Sequence, residues 1–412
     1  MRRFYYFPPN SFGMSIYAFA EMEDGRAKRI YASAKFPSKQ IGNIFLDCEE
    51  TVNLKFADEL PLRIESFYAL VAFRPSHVLI SRDVLGGKPL YYDPATLTFS
   101  SFRSYFESEA KEVEPGEVVK IDYEGNVIER RRYEFEDVFT PMDASVEELM
   151  EIVEEALLSF DPGHACISFS GGLDSSLLAS IYDLQLITVT ASKEEREWVE
   201  KAAKLLGRDL EVYEFGEREV LDVLPKVVSA IEMTDPLQVS IAIPIYLSLK
   251  FAKELGYDTV VFGQGADELF GGYRKYVDMD YDTLRRALLE DVRNIGRDNL
   301  VRDNKLAYSL NMKILTPYLQ WDIIRAGISV PVEWKLRREN GEVIRKYFLR
   351  KIAEKFMPKE LAYREKKAVQ YSTKTSTILK RLAKREGMRL EEYLRKFWKE
   401  TGREEDAEGF WG

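Results

Sequence analysis

The segment Ser170-Gly171-Gly172-Leu173-Asp174-Ser175-Ser176 is the strongest structural signal in this 412-residue chain. It lies between an apolar run at 165–169, which predicts a buried strand, and a predicted helix over 175–182. Adjacent glycines permit a sharp turn and a close approach to a ligand, and the first turn of a helix offers unpaired amide donors. With its serine hydroxyls, the stretch therefore predicts a loop that binds pyrophosphate. It lacks the Gly-Lys-Ser/Thr ending of a Walker A loop and the Gly-x-Gly-x-x-Gly dinucleotide pattern.

Strands and helices alternate on both sides of this loop. Further apolar runs typical of buried strands lie at 186–190, 210–215 and 259–262. A helix is predicted over 193–206, and Ser145 followed by Glu148 is a capping box that predicts the start of another. The alternation predicts an α/β fold with a doubly wound parallel sheet. A mostly helical extension is expected from about residue 281.

A second glycine-rich segment follows the last predicted strand. It reads Phe262-Gly263-Gln264-Gly265-Ala266-Asp267-Glu268-Leu269-Phe270-Gly271-Gly272-Tyr273. Asp267 thus lies near the carboxyl end of a strand, where open α/β sheets bind ligands. Asp174 lies inside the phosphate loop, where an aspartate beside an anion needs a shared cation. Both aspartates are therefore predicted to bind a Mg²⁺ ion that bridges phosphate oxygens.

These two segments resemble a known family. The loop at 170–176 is similar to that of the N-type ATP pyrophosphatases, and 262–273 resembles the segment found in asparagine synthetase and its relative β-lactam synthetase. The resemblance implies an ATP-dependent carbon–nitrogen ligase with ATP and Mg²⁺ as cofactors. Aspartate or a related acid would form an acyl-adenylate with release of pyrophosphate, and ammonia would then displace AMP.

The resemblance also implies roles for individual residues. Those implied to bind ATP are Phe169, Ser170, Gly171, Gly172, Leu173, Asp174, Ser175, Ser176, Val189, Thr190, Phe262 and Gly263. Those implied to act in catalysis are Gln264, Asp267, Glu268 and Lys366. Lys366 belongs to Arg364-Glu365-Lys366, which is similar to a late basic element whose lysine stabilises developing negative charge. Gln264 stands where the family often has glutamate; it cannot be a general base, although it can donate and accept hydrogen bonds.

The first third of the chain predicts a β-rich region. Closely spaced strands are predicted at 67–73, 78–81, 89–92, 97–100 and 118–121. Such spacing favours antiparallel pairing, because parallel neighbours need a crossover of a dozen or more residues. The segment at 81–92 resembles the arginine-aspartate segment of class II glutamine amidotransferase domains, which implies an Ntn-hydrolase-like fold.

The chemistry of that domain family is not visible in this sequence. The family uses an N-terminal cysteine as nucleophile, whereas Met1 is followed by Arg2, and Cys48 precedes two glutamates that disfavour a thiolate. We therefore predict a degenerate glutaminase-like domain at 1–140, with its own glutaminase inactive. An asparagine synthetase-like ATP pyrophosphatase domain is predicted at 145–412.

Composition limits the classes of protein that remain. Asp and Glu number 69 against 59 Lys and Arg, so the chain lacks the basic footprint of a general nucleic-acid binder. Two cysteines and two histidines exclude a disulfide framework and a Cys/His zinc cluster. With no apolar run long enough to span a membrane and no signal peptide pattern, we expect a cytoplasmic protein without membrane contact. The abundance of Glu, Lys and Arg is typical of thermophile proteins.

Three functions are compatible with the sequence. The first is asparagine synthesis from aspartate and ammonia, with ammonia taken from solution or from a separate glutaminase subunit. The second is another adenylate-forming amidation, such as a ring closure of the β-lactam synthetase type. The third is an ATP-binding subunit without catalysis. A homodimer is compatible with each of them.

Overall fold

The computed structural model describes residues 15–48, 60–106, 109–339, 342–364 and 374–400. Its first part contains two antiparallel sheets and two short helices. The strands are β1 (Ile16–Glu23), β2 (Arg26–Ala34), β3 (Lys39–Ile41), β4 (Ile44–Cys48), β5 (Tyr68–Phe73), β6 (His77–Arg82), β7 (Tyr91–Asp93), β8 (Thr98–Ser100), β9 (Lys111–Glu112), β10 (Glu117–Asp122) and β11 (Val127–Arg132). The helices are α1 (Leu60–Arg63) and α2 (Phe135–Val138).

The two antiparallel sheets pack face to face. One has the order β2-β1-β8-β7-β9 and the other β11-β10-β6-β5-β4-β3. Ala18 of β1, Phe99 of β8 and Ile80 of β6 meet in one buried cluster between them. Burying a side chain such as Phe99 stabilises the fold by about 1.5–3 kcal/mol. The predicted antiparallel pairing is confirmed for β5 with β6, β6 with β10 and β7 with β8.

The second part alternates strands and helices, as predicted. Its first elements are α3 (Val146–Ser159), β12 (Cys166–Ser168), α4 (Leu173–Ile181), β13 (Gln185–Thr190), α5 (Lys193–Leu205), β14 (Leu210–Glu214), α6 (Glu217–Ile231), α7 (Pro236–Glu254), β15 (Thr259–Val261), α8 (Ala266–Phe270), α9 (Tyr281–Ile295) and α10 (Val301–Ser309). They are followed by β16 (Lys313–Leu315), α11 (Trp321–Ser329), α12 (Val332–Lys335), β17 (Leu336–Glu339), β18 (Glu342–Arg345), α13 (Tyr347–Ala353), α14 (Lys359–Ala362), α15 (Thr375–Arg385) and α16 (Leu390–Glu400). The capping box of Ser145 and Glu148 at the start of α3 is confirmed.

A parallel sheet of order β14-β13-β12-β15-β16 forms the centre of this part. Successive residues of each strand face opposite sides. Ile167 and Val261 join one buried cluster, while Cys166 and Val260 join the other, so helices cover both faces as predicted. The chain leaves β12 first towards β13 and later returns to its other side as β15, which creates a switch point between β12 and β15. Strand β16 and the β17–β18 hairpin were not predicted from the sequence.

Helix α10 joins the two parts of the chain. Lys88 Nζ donates to Asn304 Oδ1 at 3.0 Å, and Lys305 Nζ donates to Tyr91 Oη at 3.0 Å. Tyr308 donates its hydroxyl hydrogen to Asp47. The last antiparallel strand ends at Arg132 and α3 begins at Val146, which is compatible with a boundary near 140–145. The domain limits themselves stay a prediction. Within the described part of the chain, no helix is long and apolar enough to cross a membrane.

Candidate active site

A cleft of about 850 Å³ opens at the carboxyl edge of the parallel sheet, beside the switch point. Eleven of the residues predicted for the site line it: Phe169, Ser170, Asp174, Ser175, Val189, Thr190, Phe262, Gly263, Gln264, Asp267 and Glu268. The loop after β12 and the segment after β15 are almost a hundred residues apart in the sequence. The fold thus brings the two glycine-rich segments to one site, as the position of their strands predicts.

The phosphate loop is held in shape by its own serines and by a tryptophan. The hydroxyl of Ser175 accepts the amide hydrogen of Ser170 at 3.1 Å, and the two hydroxyl oxygens are 3.1 Å apart. Gly171 has a φ of +62°, and a Cβ there would lie 2.6 Å from Trp198 Nε1. That indole nitrogen donates to the Gly171 carbonyl at 3.0 Å. These contacts set the conformation of the turn that leads into α4, whose first amides have no partner within the helix.

Four of the residues predicted to bind ATP do not line the cleft. Leu173 packs in the core and Ser176 is fully buried, with no hydrogen-bond partner for its hydroxyl among the described residues. Gly171 and Gly172 shape the turn, and Gly172 is the N-cap of α4. These four residues therefore contribute to the shape and packing of the loop and do not form the surface of the cleft.

Lys366 lies outside the described residues, although the chain just before it contacts the phosphate loop. Arg364 donates to the Gly171 carbonyl at 3.3 Å, and its guanidinium carbon lies 3.9 Å from the centre of the Trp198 ring. Arg364 also lies 3.5 Å from a carboxylate oxygen of Glu195, which lines the cleft. The role assigned to Lys366 stays a prediction.

A lysine that the sequence did not single out connects the two predicted metal ligands. Lys346 Nζ lies 2.6 Å from Asp174 Oδ1 and 2.7 Å from Asp267 Oδ1. The lysine is 3% exposed and sits in the left-handed region at φ +55°, directly before α13. A buried ammonium between two carboxylates is stabilised by both of them. The sequence signal for it was indirect: aspartates beside an expected phosphate site require a cation.

The glycine pair at 271–272 is explained by the same cluster. A Cβ on Gly272 would lie 1.7 Å from Asp267 Oδ1 and 2.2 Å from Lys346 Cε. No side chain fits there without displacing the lysine or the carboxylate. The amide of Gly272 also donates to the Asp267 carbonyl at 2.8 Å, which fixes the end of α8.

Asp174 and Asp267 fit the ligand set of a nucleotide-bound Mg²⁺ ion. Magnesium at nucleotide sites is usually bound by one or two carboxylates together with substrate phosphates. Both carboxylates converge on the point where Lys346 Nζ lies. No cluster of three or more Asp, Glu, His or Cys side chains suited to a metal occurs in the described ranges. The two carboxylates therefore fit an ion whose remaining ligands are phosphate oxygens.

Glu268 is a buried acid at the wall of the cleft. Tyr273 donates its hydroxyl hydrogen to Glu268 Oε1, and Asn299 Nδ2 donates to the same oxygen at 2.8 Å. Burial, followed by the nearby charge of Asp267, raises the pKa of Glu268 to about 7. A carboxyl with that pKa can take up or release a proton near neutral pH.

The side of the cleft facing α7 holds a polar network that was not predicted. Gln264 Nε2 donates to Asp303 Oδ2 at 2.5 Å, and Arg302 Nε donates to Asp303 Oδ1 at 2.8 Å. Arg302 also donates to Gln238 Oε1 at 2.7 Å. The apolar residues on this side are Leu237, Ile241, Pro244 and Ile245.

The first part of the chain offers no exposed thiol among its described residues. Cys48 ends β4 and is 5% exposed within a buried cluster. The arginine-aspartate segment is used internally, since Arg82 donates to the carbonyls of Gly86 and Lys88, and Asp83 accepts from the amide of Gly87. This segment therefore acts as a scaffold that presents Lys88 to α10.

The chain matches known sequences over its second part. The family model for asparagine synthase matches residues 146–282 and 277–402. A putative glutamine-hydrolyzing asparagine synthetase of Methanocaldococcus jannaschii is 31% identical over 265 residues, which are 55% of this chain and 49% of that protein. A glutamine-hydrolyzing asparagine synthetase of Zea mays is 25% identical over 78% of this chain and 60% of its own length. The chain thus spans only about half of the curated relatives it matches.

Solved structures give a weaker likeness. An NH3-dependent NAD synthetase from Campylobacter jejuni is 13% identical, with a TM-score of 0.23, over 39% of this chain and 91% of that chain. A glutamine phosphoribosylpyrophosphate amidotransferase from B. subtilis is 11% identical, with a TM-score of 0.21, over 49% of this chain and 60% of that chain. Scores this low carry no argument about function.

Proposed function

Because this chain belongs to the asparagine synthase family, we propose that it activates aspartate with ATP and transfers the aspartyl group to ammonia. The products would be asparagine, AMP and pyrophosphate. The observation that carries the proposal is the meeting of Asp174, Asp267 and Lys346 beside the phosphate loop, in a cleft that the two glycine-rich segments share.

In the first step a carboxylate oxygen of the acid attacks the α-phosphorus of ATP. A carbon–oxygen–phosphorus link forms, the bond between the α-phosphorus and the bridging oxygen breaks, and pyrophosphate leaves with the electron pair. The hydroxyls of Ser170 and Ser175 and the free amides at the start of α4 are suited to hold pyrophosphate. The ammonium of Lys346 would neutralise part of the charge that develops on the leaving group.

Mg²⁺, held by Asp174 and Asp267 when the nucleotide is bound, would supply further positive charge to the phosphate oxygens. The protein's own contribution is positional. Gly272 leaves room for Asp267 and Lys346, and the Trp198 contact sets the turn at Gly171. The end of β13, at Val189 and Thr190, would border the adenine side of the cleft.

In the second step ammonia attacks the carbonyl carbon and AMP leaves. The nitrogen must lose a proton as the amide forms. Glu268 lies on the cleft wall and has a pKa of about 7, so its carboxylate can accept this proton. Lys366 would stabilise the developing charge, as the family resemblance implies.

We propose that this chain does not hydrolyse glutamine and takes ammonia from solution or from a separate subunit. The proposal is supported by its two thiols, since Cys48 is buried and burial raises the pKa of Cys166 to about 12. A buried thiol is a poor nucleophile, because the thiolate is the reactive form. Steady release of ammonia from glutamine by the purified chain would contradict this.

The proposal is tested by product analysis. The protein is incubated with ATP, Mg²⁺, aspartate and ¹⁵N-ammonium, and the expected result is labelled asparagine with AMP and pyrophosphate in equal amounts. The matched control is Asp174→Asn, which removes one carboxylate and should abolish product formation. Formation of ADP and phosphate would contradict the mechanism. Product with a different acid would favour the amidation of another substrate, and absence of any product would favour an ATP-binding subunit.

A further inference from the structure

The polar network beside the cleft fixes the direction of one hydrogen bond. An ionised carboxylate only accepts hydrogen bonds, so Gln264 must present its NH₂ group to Asp303. Its carbonyl oxygen then points away from Asp303. Among the described residues, none donates a hydrogen bond to that oxygen, and Gln264 lines the cleft. The side-chain carbonyl oxygen of Gln264 is therefore available as a hydrogen-bond acceptor for a ligand in the cleft.

Asp303 is itself held rigidly. Arg302 and Asp303 are each 2% exposed, and Arg302 Nε donates to the oxygen of Asp303 that does not contact Gln264. Arg302 is in turn anchored by Gln238, whose carbonyl oxygen accepts from it at 2.7 Å. Because a guanidinium only donates and a carboxylate only accepts, every bond in this chain of contacts has one direction.

We infer that Asp303 is a positioning residue for the amidation, which orients the Gln264 carbonyl to accept a hydrogen bond from an N–H group of the substrate. The inference rests on the proposed function. Two substrates share this chemistry: the ammonia that attacks the adenylate, and the α-ammonium group of the amino acid. Gln264 would thus act in nitrogen recognition by accepting a hydrogen bond, without serving as a base.

The substitution Asp303→Asn tests the inference, because it should reverse the amide of Gln264. In the variant, Arg302 would require the Asn oxygen, so the Asn NH₂ group would face Gln264. Gln264 would then turn its carbonyl inward and present NH₂ to the cleft. An N–H donor of the substrate would meet another donor. We expect the KM for that substrate to rise about ten- to hundredfold.

A compensating substitution separates positioning from simple structural damage. In the double variant Asp303→Asn with Gln264→Glu, the Asn NH₂ group donates to the Glu carboxylate, and the second Glu oxygen again offers an acceptor to the cleft. The net charge of the pair is that of the wild type. We expect the KM to return to within about threefold of the wild-type value, whereas a purely structural role of Asp303 predicts no such rescue.

Two assays identify the N–H group. The KM for ammonium is measured in asparagine synthesis, and the KM for aspartate in exchange of labelled pyrophosphate into ATP, which needs no ammonia. A higher KM for ammonium would indicate that the attacking ammonia donates to the Gln264 carbonyl. A higher KM for aspartate would indicate that the α-ammonium group of the amino acid donates to it. The matched control is Asp282→Asn, which makes the same charge change on an exposed side chain outside the cleft; its KM values should change less than twofold.

The outcomes separate this inference from the proposed function. A wild-type protein with neither synthesis nor exchange contradicts the proposed function, and the inference with it. An active wild type with unchanged KM values in Asp303→Asn, or a folded double variant no better than the single one, contradicts the inference alone. If Asp303→Asn does not fold, Gln264→Met leaves the Arg302–Asp303 pair intact; it should raise the same KM about tenfold, and an unchanged KM would overturn the inference.

Discussion

Replacing Lys346 by methionine should show how far the lysine ammonium offsets the repulsion between the carboxylates of Asp174 and Asp267. Methionine keeps a side chain of similar length and the same left-handed backbone position, so the substitution removes mainly the charge. The oxygens of Asp174 and Asp267 that contact Lys346 lie no more than about 5 Å apart, since both contact the same nitrogen. At an effective dielectric constant of about 20, two unit charges at that distance repel by about 3 kcal/mol. Removal of one partner from a buried ion pair costs about 3–5 kcal/mol.

We therefore expect Lys346→Met to lower the free energy of unfolding by about 3 kcal/mol at pH 7.5 without divalent ions. Millimolar Mg²⁺ should restore part of this loss, because a divalent ion can replace the ammonium between the two carboxylates. The assay is denaturant unfolding of wild type and variant with Mg²⁺ and with EDTA. The control for the Mg²⁺ effect is Lys335→Met, which removes a second buried lysine and should respond to Mg²⁺ no more than the wild type does. Equal stability of variant and wild type, or a Mg²⁺ effect no larger in the variant, would contradict a neutralising role of Lys346 between the two carboxylates.

Three further substitutions have expected outcomes. Burial lowers the pKa of Lys335 to about 7, so its charge lowers the free energy of unfolding most below pH 7 and not at all above about pH 10.4. In unfolding titrations, Lys335→Met should therefore be more stable than wild type at pH 6 and should lose this gain by pH 10.5. The pKa of Glu268 is raised to about 7, so the free energy of unfolding of the wild type falls as pH rises from about 4.5 to 7. Glu268→Gln should therefore be more stable than wild type by up to about 3 kcal/mol at pH 8 and equally stable near pH 4. The same variant should form the amide about a hundredfold more slowly while keeping pyrophosphate exchange. Lys305 and Glu232 form a buried pair at 2.6 Å between α10 and the end of α6, so Lys305→Met should cost about 3–5 kcal/mol in chemical unfolding. A loss below about 1 kcal/mol would show that the backbone amides of Arg103 and Ser104 are sufficient to stabilise the Glu232 carboxylate.

The features predicted correctly are those with strong local signals. The loop at 170–176 combines glycines, serines and a strand–helix junction within seven residues, and the capping box at Ser145 is equally local. Strand β16 was missed because it has three residues and follows a helix without a long apolar run. Strand β2 was missed because its residues are mostly half-buried or exposed, which gives no clear alternation.

The contacts that define the site chemistry could not be predicted, because they join distant parts of the sequence. Lys346 and Asp174 are 172 residues apart, and nothing in the residues around Lys346 marks it as a buried cation. Gln264 and Asp303 are 39 residues apart, on elements whose relative position depends on the packing of α10. Sequence motifs contain one residue of each pair, Asp174 or Gln264, whereas its partner is found only in the tertiary structure.

The formation of an aspartyl-adenylate in this cleft is the step on which the proposed function depends. Its most direct test is the exchange of labelled pyrophosphate into ATP with aspartate as the added acid and ammonia left out. We expect aspartate-dependent exchange in the wild type and none in Asp174→Asn, with the fold of the variant intact by circular dichroism. No exchange with aspartate or any other amino acid, or full exchange in Asp174→Asn, would contradict it.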